Sequence, residues 1–142
     1  MTITLEIEAD SLIDEIQQFA STQLIELRRQ LTRNLTQHIL SKTITLNPIE
    51  TGRSRAAWAT AMQQLGLTPP NGWDASSSNP TALTSGFSQG SSSQSETADA
   101  HSVSATNQVD YINFLEFGTS HQSPHAMVNR ALLSAAAQLS SF

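Results

Sequence analysis

Polar and apolar residues alternate from Thr2 to Glu8, with Ile3, Leu5 and Ile7 on one side. A period of two predicts a short, half-buried strand. Asp10 or Ser11 can cap the helix that follows, and Ser11 with Asp14 approximates a capping box. From Leu12 to about Leu40, the residues Leu12, Ile13, Ile16, Phe19, Ala20, Leu24, Leu27, Leu31 and Leu35 fall in one helical stripe. Asp14, Glu15, Glu26, Arg29 and Arg33 fall opposite. At ~1.5 Å per residue, this predicts a helix about 40 Å long. His38, in the same stripe, is expected to be partly buried or at an interface.

Thr43–Leu46 (Thr-Ile-Thr-Leu) predicts a brief strand or extended link, stopped by Asn47-Pro48. A second helix is expected from Arg53 to about Leu65, packing through Ala56, Ala57, Trp58, Ala61 and Leu65. Gly66 and Pro69-Pro70 end it. From Thr68 to about Ala100 the chain turns to Ser, Asn, Gly, Thr and Pro. It has no Lys or Arg there, and Trp73, Leu83 and Phe87 are its only large apolar side chains. Such a stretch buries too little apolar surface to offset its ordering entropy. It is expected to be a long flexible insertion at about 68–100, with Trp73 and Phe87 as anchors for a partner. His101–Thr106 alternates again and predicts a strand. Val109–Phe117 is rich in large apolar groups and ends at Gly118. Ser123-Pro124 supplies a cap and a first-turn proline for a closing helix to about Leu139. The sum is a small α+β domain over residues 1–142. It has a long N-terminal helix, a small antiparallel or mixed sheet, a C-terminal helix and the insertion.

Composition narrows the function. The 142 residues contain no cysteine, which removes disulfides, thiol catalysis and Cys-based zinc sites and fits a reducing compartment. Thr-Ile-Thr-Leu-Glu-Ile-Glu after Met1 lacks a signal peptide's basic start and apolar core. No apolar run reaches the ~20 residues of a membrane helix. Net charge is −5 and polarised: residues 1–27 carry six acids and no base, whereas residues 28–55 carry six of the seven Lys and Arg. That pattern suits charge-matched contact between neighbouring protein surfaces, or simply solvated helix faces.

Several patterns hint at chemistry. Gly86-Phe87-Ser88-Gln89-Gly90 matches GxSxG, with Asp99 and His101 following in esterase order. A nucleophile elbow, however, needs a buried strand before the serine and a helix after it, on a large sheet. His121 and His125 lack the further ligands a metal site needs. No P-loop glycine pattern is present. No catalytic residue, metal ligand or cofactor is expected, and the chain is read as a non-enzyme.

Two segments carry more. One is Glu50-Thr51-Gly52-Arg53-Ser54-Arg55-Ala56-Ala57-Trp58. The other is Tyr111-Ile112-Asn113-Phe114-Leu115-Glu116-Phe117-Gly118-Thr119-Ser120, followed by Ser123-Pro124-His125-Ala126-Met127. The lone Glu116 among aromatics is expected either to pair with Arg53 or Arg55, within a subunit or across an interface, or to be a solvated acid. Together these segments resemble the minor-tail and tail-completion proteins of long-tailed bacteriophages, the lambdoid Z-like family. That family shows a long N-terminal helix, a "TGxLRxS"-like segment, a variable stretch, then "YAxYLEFGT", a Pro-containing turn and a closing helix. Thr51, Gly52, Arg55 and Trp58 stand in the first motif, with Ser54 where an apolar residue is frequent. Tyr111, Leu115, Glu116, Phe117, Gly118, Thr119 and Pro124 stand in the second. The serine-rich insertion departs from the pattern.

The resemblance implies a virion protein forming a ring of six copies at the neck. That ring would lie between the tail tube or tail terminator and the head connector, with DNA only passing through its channel and no membrane contact. It would assemble in the bacterial cytoplasm. Arg53, Arg55, Trp58, Tyr111, Phe114, Glu116, Phe117, Trp73 and Phe87 are the expected subunit or partner interface. A head-closure or tail-terminator ring is the alternative within that class. A cytosolic protein-binding module using the serine-rich loop is the alternative outside it.

Overall fold

Ile3, Leu5 and Ile7 do set the face of a strand, β1 (Thr2–Glu8), that runs antiparallel to β3 (Ala100–Asn107). The other edge of β3 pairs antiparallel with β2 (Gly90–Glu96), giving the order β1-β3-β2. The computed structural model describes residues 1–8, 14–49, 52–74 and 79–140. The cap assigned to Asp10 or Ser11, the packing assigned to Leu12 and Ile13, and Glu50 and Thr51 lie outside the described residues. On the inner face of the sheet, Ile3, Val103 and Ala105 are buried against the helices. On the outer face hydroxyls pair across strands, Thr2 with Thr106 at 2.7 Å and Thr4 with Ser104 at 2.9 Å.

Helix α1 (Asp14–Leu46) is longer at its C-terminal end than the apolar stripe predicts. Thr43–Leu46 is its last turn, neither strand nor link. The β-branched residues are held helical by burial, Thr43 and Ile44 being fully buried, and the Thr43 hydroxyl finds its acceptor in Ile39 O. Thr32 and Thr36 bond back to Arg28 O and Thr32 O in the same way. The buried face therefore runs through Arg28, Thr32, Leu35, Thr36, Ile39, Leu40, Thr43 and Ile44. Leu27 and Leu31, expected in the core, are exposed, Leu27 at 60%. His38 is half-buried, its Nε2 3.0 Å from the Ser134 hydroxyl.

Helix α2 (Arg53–Gln64) buries Ala56, Ala57, Trp58, Ala59, Ala61 and Met62. The 68–100 stretch, expected to be a flexible insertion, holds helix α3 (Pro80–Phe87) and strand β2. Its glycines allow backbone approach to α2, and Trp73 packs against the core. A Cβ on Gly86 would stand 2.2 Å from Arg53 O, and one on Gly90 would stand 1.8 Å from Ala57 O. Asn79 caps α3 by accepting from the Ala82 amide. The single core cluster joins the sheet to α1, α2 and α5 (Met127–Leu139), the last packed along α1. The fold is α+β, with a long N-terminal helix, a three-stranded antiparallel sheet and a C-terminal helix.

Candidate interaction surface

Glu116 organises the second motif, and it does so without an arginine. It is the fifth residue of α4 (Ile112–Phe117) and is 4% exposed. Its Oε2 accepts from the Val128 amide and its Oε1 from the Asn129 amide, both at 2.9 Å. These amides are in the first turn of α5, where helix N–H groups have no intrahelical acceptor. A carboxylate there also favours the helix dipole. Glu116 is thus a capping acid delivered from a neighbouring helix. Within the subunit it pairs with neither Arg53 nor Arg55, and it is not exposed to solvent.

The cap is reciprocal. The His125 amide donates to Leu115 O and the Ala126 amide to Glu116 O, so α5's approach satisfies carbonyls at the end of α4. The turn between them needs Gly118, at φ 76°, since a Cβ there would lie 2.7 Å from Gln122 O. Ser123-Pro124 precedes α5 by too far to cap it. The residue at the cap position is Ala126, in the left-handed region at φ 47°. The carboxylate of Glu116 supplies what the local sequence lacks.

With Glu116, Ile112 and the half-buried Leu115 anchored inward, α4 presents Phe114 and Phe117 to solvent at 57% and 72% exposure. Leu132 and Leu133 on α5 are exposed as well. Large apolar side chains held outward on rigid elements mark contact sites. Of the expected interface residues, Phe114 and Phe117 are the most exposed large apolar ones, with Phe87 at 41%.

The others divide. Trp58 is fully buried in the core. Arg55 donates to Thr45 O at 3.2 Å, Asn47 O at 2.8 Å and Trp73 O at 3.3 Å. It thereby covers the carbonyl end of α1, where a cation suits the dipole. Burial pushes its guanidinium below the ordinary value. Arg53 donates to Gln89 Oε1 at 2.7 Å, stacks over the half-buried Tyr111 ring at 5.6 Å, and meets Asp110 at 3.4 Å. Trp73 and Phe87 meet edge to face at 6.0 Å, with Phe87 partly exposed. They brace the 68–100 segment against itself.

Ser54, noted only as a departure from the family motif, is the buried hub of that motif. Its hydroxyl receives the Asn47 side-chain amide at 2.7 Å, and its carbonyl receives that of Asn107 at 3.0 Å. Asn47 and Asn107 carried no signal except their place beside turns. Ser88 ends α3 and donates to Ser85 O at 2.8 Å. The order around it is helix, serine, strand, the reverse of an elbow, and the flanking glycines serve packing on α2. His121 is exposed and His125 half-buried, the latter 3.3 Å from the Gln122 side chain.

Comparison with protein-family models, with curated proteins and with solved structures finds no match to this chain.

Proposed function

We propose that this chain is the protomer of a homo-oligomeric ring that completes a long phage tail at its head-proximal end. The observation that carries the oligomer is the pair Phe114 and Phe117, exposed on a helix fixed by the Glu116 cap. An apolar surface on a rigid support loses little conformational entropy when a partner covers it. A second exposed apolar pair, Leu27 and Leu31, sits one helical turn apart on α1. Two different patches per subunit suit head-to-tail contact, which closes into a ring when the rotation allows. The place of that ring, its six copies, and its tail-tube and head-connector neighbours follow from the likeness of the two motifs to the Z-like family. In this reading the protein seals and joins, DNA only passes through, and no step of chemistry is required.

The test is made on virus particles. Peptides of this chain are expected in purified tailed virions of the strain that encodes it. Deleting the gene should leave full heads and uncompleted tails that fail to join. Infectious particles assembled normally without the chain would contradict the proposal.

A further inference from the structure

Towards the β2–β3 turn, the layer between α1 and the sheet changes from apolar to charged. Arg29 and Arg33 of α1, Leu65 and Leu67 after α2, and Gln94 and His101 of the hairpin line an open cleft of about 210 Å³. That far exceeds the ~10–15 Å³ that one water needs. Two guanidinium groups line it, on Arg29 and Arg33, next to Arg28 on the same helix. Two carboxylates, Glu26 and Glu96, lie within ion-pair distance, and Arg29 takes both, at 3.0 and 2.6 Å. Arg28 donates to Thr97 O and Ala98 O. Arg33 donates to Leu65 O at 3.5 Å and Gly66 O at 2.8 Å, and among the described residues it meets no carboxylate. Arg33 is thus the lining guanidinium without a carboxylate against it, whereas Arg29 is already paired.

A second, independent observation concerns His101. It is 6% exposed, yet its Nδ1 has no hydrogen-bond partner, the nearest Glu96 oxygen lying 3.9 Å away. Arg28 Nε is likewise buried and unpaired. Buried polar nitrogens are ordinarily satisfied, because an unmet one is costly. A planar guanidinium fork without a carboxylate against it, beside an imidazole nitrogen that lacks a hydrogen bond, is the complement of an oxyanion.

We propose that this cleft binds a phosphate-class oxyanion, free or carried on a mononucleotide, gripped by Arg33 with Arg29 and His101 beside it. The site does not depend on the ring, and its failure would leave that reading standing.

The ¹⁵N-labelled full chain is titrated with inorganic phosphate and, separately, with adenosine monophosphate, against sodium chloride at matched ionic strength. Saturable shifts at the Arg33, Gly66, Gln94 and His101 amides are expected, beyond those chloride produces. Similar affinities would assign the free ion, and a nucleotide at least about tenfold tighter would assign the nucleotide. Arg33→Gln should weaken binding by about tenfold, the scale of one charge-assisted contact, and His101→Gln should weaken it less. If Arg33→Gln loses its dispersed spectrum, Arg33→Lys, which keeps the charge but not the fork, takes its place and should still bind more weakly. Shifts that follow ionic strength alone, or saturable binding undiminished in the Arg33 and His101 variants, would overturn the proposal.

Discussion

Replacing Glu116 by alanine leaves the Val128 and Asn129 amides without their acceptor, in a part of the molecule where Val128 is buried. The expected loss is about 1–3 kcal/mol of folding stability, read by urea unfolding, with Glu116→Gln costing less because its amide oxygen can still accept. Ala126 gives the opposite sign. It holds φ 47° with a β-carbon, so Ala126→Gly should raise stability by up to about 1 kcal/mol in the same assay. Gly90→Ala is expected to be the severest of the three. Its new Cβ would stand 1.8 Å from a backbone oxygen that cannot swing away, and overpacking at a rigid site costs about 1–3 kcal/mol or more. None of these roles has a local sequence signal. Glu116 lies twelve and thirteen positions before the amides it caps, and Gly90 is shaped by a helix some thirty residues upstream. Periodicity and capping patterns reach only a few residues along the chain.

Elements were legible where one face dominates. The alternation of β1 and β3 and the apolar run of α2 correspond to observed elements within a residue or two. Where tertiary burial competes with propensity, the outcome changed. Thr43–Leu46 has strand-like residues, but the burial of Thr43 and Ile44 and the bonds of Arg55 at the end of α1 keep it helical. The 68–100 stretch has a composition poor in apolar area. It folds around Gly86, Gly90 and the small face of α2, a means of ordering that hydrophobicity does not measure. The hairpin is also tied to α1 by charge. Arg29 beside Glu96, at 2.6 Å, holds that carboxyl below its usual range by hydrogen bonding and charge, with His101 and Arg28 adding smaller pulls in the same direction. A depressed acid contributes stability that is present above its unfolded pKa and lost as pH falls through the lower folded value. Wild type should therefore exceed Glu96→Gln in stability at pH 7, and the gap should close below the ordinary glutamate range near 4.5. Added salt should shrink the gap at any pH, since the pair is partly exposed.

At the scale of the molecule, the internal and external duties of the two motifs separate. Arg55, Ser54, Trp58 and Glu116 are committed to holding α1, α2, β3, α4 and α5 together. Phe114 and Phe117 are left over on the outside. From sequence alone Arg55, Trp58, Glu116, Phe114 and Phe117 looked equivalent, because a motif shows which residues travel together and not which of them face inward. The ring reading needs that outward pair to be covered by another copy. Exposed aromatics that nothing covers are an association hazard rather than a neutral feature. Sedimentation equilibrium of the purified chain, alongside Phe114→Asp/Phe117→Asp, tests this most directly. The wild type is expected at several times the 15.3 kDa monomer mass, and the double variant at that mass with an unchanged circular dichroism spectrum. A wild type that stays monomeric at high concentration, or a double variant that still assembles, would contradict it.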